Sequence, residues 1–134
     1  MNKNPNGKKV LVVEDELAIA KLIKYVLENA GFDVTLIHEG DTALKAVSKV
    51  SPDIMVLDLM LPVLSGFDIL KQMEEEKILN STPVIVLTCR GQEEDKSKAM
   101  RLGASEFMTK PFSPSGLVAV INSVLNKSGE IHGH

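Results

Sequence analysis

The sequence predicts one doubly wound α/β domain, a five-stranded parallel sheet covered by helices on both faces. Three observations carry that expectation. Short runs of consecutive apolar, β-favouring residues recur along the chain, the pattern of strands buried on both sides. Each run is followed by a segment whose apolar residues fall at helical spacing. The connections are short, so strand and helix alternate strictly, and such alternation implies parallel strands joined by right-handed crossovers.

The elements follow in order, with residues 1–8 read as a disordered lead-in and 9–127 as the folded domain. Val10-Leu11-Val12-Val13 is the first strand and runs directly into Glu14-Asp15-Glu16. Ile19, Leu22, Ile23, Val26 and Leu27 then recur at helical spacing, and Gly31 closes that helix. Phe32 to Ile37 alternates as a second strand. Asp41 is placed to cap a second helix with Ala43, Leu44, Ala46, Val47 and Val50 as its stripe, ending at Ser51-Pro52. The third strand, Ile54-Met55-Val56-Leu57, stops abruptly at Asp58, and Pro62 follows.

Pro62 to Gly66 is a loop, and Phe67, Ile69, Leu70 and Met73 mark a third helix. Asn80 to Pro83 turns into a fourth strand, Val84-Ile85-Val86-Leu87-Thr88. Gly91 to Leu102 is mostly charged and reads as a weakly held helix anchored by Ala99, Met100 and Leu102, with Gly103 at its end. Ser105 to Thr109 is a short fifth strand, followed by the turn Lys110-Pro111-Phe112. Leu117, Val120, Ile121, Val124 and Leu125 form the last helix, and 128–134 is a flexible tail.

Composition narrows the function classes. A chain of 134 residues, 44% hydrophobic and 25% charged, is long enough for one ordinary globular core. A net charge of −3 argues against a nucleic-acid-binding surface. No apolar run reaches the ~18 residues needed to cross a bilayer, and no apolar signal segment precedes Val10. The single cysteine, Cys89, excludes an internal disulfide and suits a reducing cytoplasm. His38, His132 and His134 lack metal-ligand spacing.

The functional argument lies in what each strand delivers at its carboxyl end, where open parallel sheets bind their ligands. The first strand delivers Glu14 and Asp15, the third Asp58, the fourth Thr88, and the fifth Lys110 just beyond it. Three converging carboxylates repel one another unless a cation binds, and oxygen-only ligands select Mg²⁺ or Mn²⁺. A hard cation, a lysine and a hydroxyl around one aspartate are the parts needed to transfer a phosphoryl group to it. Taken singly, each residue has a plainer reading. Asp15 fits a helix N-cap, Asp58 a loop residue, Thr88 a β-former, Lys110 a solvated charge and Phe107 plain core. The constellation decides for the site.

The motifs Val13-Glu14-Asp15-Glu16, Asp58-Leu59-Met60-Leu61-Pro62 with Ser65-Gly66, Leu87-Thr88-Cys89, and Gly103 through Phe112 resemble the receiver domain of bacterial two-component response regulators. The resemblance runs from about Lys9 to about Asn126. It implies a flavodoxin-like fold with strand order 2-1-3-4-5. It implies Asp58 as phosphoacceptor from a sensor histidine kinase or phosphotransfer protein, and Mg²⁺ held by Glu14, Asp15, Asp58 and the backbone carbonyl of Met60. Lys110 would contact a phosphoryl oxygen, Thr88 would move its hydroxyl onto another, and Phe107 would turn inward as the aromatic switch. Pro111 matches a position preceded by a cis bond. Output is expected on the fourth-helix, fifth-strand and fifth-helix face, toward an unknown domain or protein.

The resemblance further implies a signalling domain rather than an enzyme, catalysing only its own phosphorylation and slow autodephosphorylation. The charged fourth helix and the Lys-Pro-Phe-Ser-Pro turn look like receivers of winged-helix transcription factors, whose phosphorylation-dependent homodimers use charged pairs; here Gly116 and Val120 stand where charges are expected. Cys89 stands where such receivers usually have a smaller residue and would restrict water at the acyl phosphate; its plainer reading is a buried small hydrophobe, favoured over a redox role. Two rival readings compete. A haloacid-dehalogenase-type phosphatase would need a second Asp as general acid where Met60 stands, and a first-strand nucleophile. A flavodoxin-like small-ligand module would need a glycine- and hydroxyl-rich phosphate loop after the first strand.

Overall fold

The computed structural model describes residues 7–89 and 92–132, with side chains through 127. Strands β1 (Lys9–Val13), β2 (Asp33–Ile37), β3 (Ile54–Leu57), β4 (Val84–Thr88) and β5 (Glu106–Thr109) form one sheet in the order β2-β1-β3-β4-β5. All pairings are parallel. Between and after them lie α1 (Leu17–Asn29), α2 (Ala43–Val50), α3 (Gly66–Glu75), α4 (Glu93–Arg101) and α5 (Pro114–His132). The predicted architecture and strand order are therefore those observed. No helix among the described residues is long and apolar enough to cross a membrane.

Side-chain alternation divides each strand between two cores. Val10 and Val12, Ile54 and Val56, and Ile85 and Leu87 pack with Ile23 and Leu27 of α1 and Leu117 and Ile121 of α5. Leu11, Val13, Met55, Leu57, Val84 and Val86 face the other way, against α2, α3 and Ala99 of α4. Burial on both faces explains why these strands read as continuous apolar runs rather than alternating ones. Apolar burial is the dominant force holding the layers together.

Several local expectations are corrected. A 3₁₀ turn over Gly40–Thr42 precedes α2, so Asp41 lies inside that turn and no side chain caps the helix. The residue capping α1 is Glu16, without a side-chain bond, so Asp15 is not the cap. On α4 the buried positions are Asp95 and Ala99, while Met100 is exposed and Leu102 only half-buried. Lys98 sits over the Phe67 ring of α3 at 4.4 Å, a cation–π contact that ties α4 to its neighbour. Helical backbone in α5 continues to His132, past the expected end near Asn126. Of the expected disordered lead-in over 1–8, residues 1–6 lie outside the described residues, as do Gly91 and the final two residues of the tail.

Candidate functional site

Register brings the strand ends level. Val13 pairs with Leu57, Leu57 with Val86, and Val86 with Phe107. Glu14 and Asp58 therefore emerge side by side, one residue beyond their strands. The backbone ladder extends with them: the Asp58 amide donates to the Val13 carbonyl at 3.1 Å, and the Glu14 amide to the Ile37 carbonyl at 2.9 Å. The Lys110 amide donates to the Thr88 carbonyl at 2.8 Å, which fixes where the lysine leaves β5. The Lys110–Pro111 peptide is cis, as expected.

The loop after Asp58 is shaped by packing as well as by bonds. Ser65 caps α3: its hydroxyl accepts from the Asp68 amide at 3.2 Å, and its own amide donates to the Asp68 carboxylate at 3.2 Å. This reciprocal pair satisfies donors the helix would otherwise leave open. It presents Gly66 directly to the Asp58 backbone, where a Cβ would lie 2.5 Å from the Asp58 carbonyl oxygen and 2.7 Å from Leu59 Cα. Only a residue without a side chain fits there. The tip of the same loop carries Val63 at φ 67°, its side chain wholly in solvent.

The charges gather in a nearly closed space. Glu14 is 2% exposed and Asp58 4%. Lys110 Nζ donates to Glu14 Oε1 at 2.5 Å and to Asp58 Oδ2 at 3.2 Å. The other Asp58 oxygen accepts from the Met60 amide at 3.0 Å. Burial pushes the Glu14 carboxyl up from 4.5 to about 7; the Asp58 charge adds to that rise, while the Lys110 bond opposes it. For Lys110, burial works against the ammonium, yet the bonds and charges of Glu14 and Asp58 outweigh it and raise its pKa.

Carboxylate oxygens of Glu14, Asp15 and Asp58 all lie within 4.8 Å of one another. One ammonium cannot neutralise three carboxylates, so the cluster retains excess negative charge. An all-oxygen donor set of this kind fits a hard divalent cation. Asp15 is half-buried and, with Met60, Pro62 and Phe67, lines a cleft of about 500 Å³ that opens the site to solvent.

Thr88 closes β4 and is fully buried, and Phe107 is half-buried on β5, paired with Val86 two residues before Thr88. Every predicted site residue thus lies at this edge of the sheet. Cys89 differs from the expected buried residue: β4 ends at Thr88, and Cys89, just beyond the strand, is exposed. Sequence reasoning did not single out the Ser65–Asp68 cap, although Ser-x-x-Asp before an apolar stripe was a readable signal. It weighed His38 only as a metal ligand, whereas its Nδ1 lies 3.1 Å from the Glu14 carbonyl oxygen; that contact is between segments distant in sequence.

A family model described as the response regulator receiver domain matches residues 10–122. The alkaline phosphatase synthesis transcriptional regulatory protein PhoP of Bacillus subtilis is 42% identical over 122 residues, covering 91% of this chain and 50% of that protein. The phosphate regulon transcriptional regulatory protein PhoB of Escherichia coli is 39% identical over 121 residues, covering 90% and 53%. This chain therefore spans about half the length of these curated relatives. The receiver domain of the Francisella response regulator 1452 superposes with a TM-score of 0.85 at 34% identity, over 91% of this chain and 99% of that one. Chemotaxis protein CheY4 of Vibrio cholerae gives 0.82 at 30% identity, over 88% and 98%. With a family match across nearly the whole described sheet and its strand-end acidic cluster, this chain belongs to the response regulator receiver domains.

Proposed function

We propose that the chain accepts a phosphoryl group on Asp58 from a sensor histidine kinase or phosphotransfer protein, with Mg²⁺ (or Mn²⁺) held by Glu14, Asp15, Asp58 and the Met60 carbonyl. The observation that carries this reading is the meeting of three carboxylates within 4.8 Å, with Lys110 bridging two of them. An Asp58 oxygen attacks phosphorus as the bond to the donor breaks, giving an acyl phosphate. The cation, when bound, supplies positive charge to the transferring group. Lys110 is already within bonding range of Asp58 and can pass to a phosphoryl oxygen.

The acyl phosphate brings roughly −1.5 to −2 charge and three acceptor oxygens to a site that lacked them. Those oxygens offer Thr88 and Lys110 contacts that exist only in that state, so the new arrangement is favoured only after phosphorylation. Phe107 is the aromatic switch of this reading, and α4 the element that responds. Its support is the thin anchoring of α4 through Ala99 and Asp95. The α4–β5–α5 face would carry the output to a domain or protein whose identity is open, either within a longer transcription factor or outside it. A phosphorylation-dependent homodimer is one form of that output.

Residues 9–127 are the unit proposed to act. The proposed role is signalling with slow autodephosphorylation, since Met60 stands where a phosphatase would place its general acid. The cytoplasm is the proposed compartment, on family membership and the single cysteine. Direct binding of nucleic acid by these residues is not proposed, given the net charge of −3.

Intact mass after incubation with acetyl phosphate tests the acceptor. A Mg²⁺-dependent gain of one phosphoryl group in the wild type, lost in Asp58→Asn, is expected. A folded protein that gains nothing, or an Asp58→Asn variant labelled to the same extent, would overturn the assignment.

A further inference from the structure

We propose that His38 is a positioning residue for the cation site, acting through the backbone of Glu14. The inference rests on the reading of Glu14, Asp15 and Asp58 as that site. His38 Nδ1 lies 3.1 Å from the Glu14 carbonyl oxygen, on the residue directly after β2. A carbonyl can only accept, so the bond requires the proton on Nδ1. The preceding residue of the same segment grips Glu14 from its other side, the Ile37 carbonyl accepting from the Glu14 amide at 2.9 Å.

The consequence falls mainly on Asp15. The Glu14 carbonyl and the Asp15 amide belong to one rigid peptide plane, so fixing that oxygen fixes the direction in which the chain enters Asp15. Glu14 has further anchors in Lys110 and in the Glu16 amide, 3.2 Å from its carboxylate. Among the described residues the Asp15 carboxylate has no such bond, and its aim depends on its backbone. α1 offers no substitute, because its cap is Glu16 without a side-chain bond. His38 is thus the side chain that orients the least anchored of the three carboxylates, as outer groups orient ligands in metal sites.

The test compares His38→Ala, which lacks the donor, with His38→Asn, whose amide nitrogen can reach the same place. Mg²⁺ affinity is measured by calorimetry on unphosphorylated protein, and the rate of labelling by acetyl phosphate is followed against Mg²⁺ concentration. His38→Ala is expected to weaken Mg²⁺ about tenfold, with the labelling rate restored at saturating Mg²⁺, and His38→Asn to bind within about twofold of wild type. His38→Phe keeps a ring without the donor and replaces alanine in the comparison if alanine unfolds the domain. Donor-free variants that bind Mg²⁺ like wild type, or an asparagine variant as weak as they are, would overturn the proposal. Asp15→Asn in the same titration separates the two readings: unchanged binding there would refute the cation site itself.

Discussion

Lys110 Nζ lies 3.2 Å from the carboxylate of Asp58, a residue 52 positions earlier, and closer still to Glu14. One ammonium therefore stands between two buried carboxylates. Removing it in Lys110→Ala leaves Asp58 without its cation and drives the Glu14 carboxyl further up, and breaking such a buried pair costs up to about 3–5 kcal/mol. The variant is expected to melt well below wild type in EDTA and to recover more than wild type on adding Mg²⁺. Thermal melts with and without the cation check this; equal Mg²⁺-induced shifts would remove Lys110 from the charge balance of the site.

The raised Glu14 carboxyl sets a pH dependence. Its folded-state value of about 7 exceeds the ordinary 4.5, so the folded protein holds a proton that the unfolded chain releases between those values. By linkage, this group lowers the stability of the metal-free protein as pH rises from about 4.5 through about 7, with no further change above. Mg²⁺ affinity runs the other way, because only the ionised carboxylate can bind it. Calorimetric titrations on either side of pH 7 should show tighter binding at the higher pH, with a shallower slope in Glu14→Gln. An unchanged slope would place the proton on another group.

Thr88→Ala separates acceptance from response. The variant is expected to gain one phosphoryl group to the same stoichiometry as wild type. Amide exchange across Glu93–Arg101 should change on phosphorylation in wild type and stay unchanged in the variant. Loss of labelling would instead make Thr88 part of the transfer step, and a wild-type exchange response would exclude it as the trigger.

Gly66→Ala tests the packing beneath Asp58. The added carbon would meet backbone at 2.5 Å and 2.7 Å, where no side chain can swing aside. Overpacking of this kind costs about 1–3 kcal/mol, so a lower melting temperature and slower labelling of Asp58 are expected together. A variant that melts and labels like wild type would show that the α3 entry can shift without disturbing the site.

The sheet was legible because its strands are buried on both faces: Val10 to Val13 and Val84 to Leu87 leave no polar residue to confuse the pattern. The site was legible for the same reason, since Glu14, Asp58 and Thr88 interrupt those runs at their ends. What escaped were features set by contacts across the fold or by backbone detail. Asp41 has the chemistry of a cap, yet the chain spends Gly40–Thr42 on a 3₁₀ turn before α2 begins. Met100 looked like an anchor because α4 offers so few apolar residues, but the helix turns Asp95 and Ala99 inward. Cys89 follows a buried strand without belonging to it.

Alternation along β4 has a mechanical consequence. Ile85 and Leu87 belong to the layer of α1 and α5, whereas Val84 and Val86 belong to the layer of α2, α3 and α4. Thr88 has the parity of Val86, and Phe107, the register partner of Val86, packs into the same layer. A displacement of Thr88, as the proposed switch requires, would thereby be delivered to one side of the sheet, while α5 would rest on the other as a stator. On the proposed switch, the α4–β5–α5 surface would be half moving and half fixed, and a partner gripping α5 would have a built-in ruler against which to gauge α4.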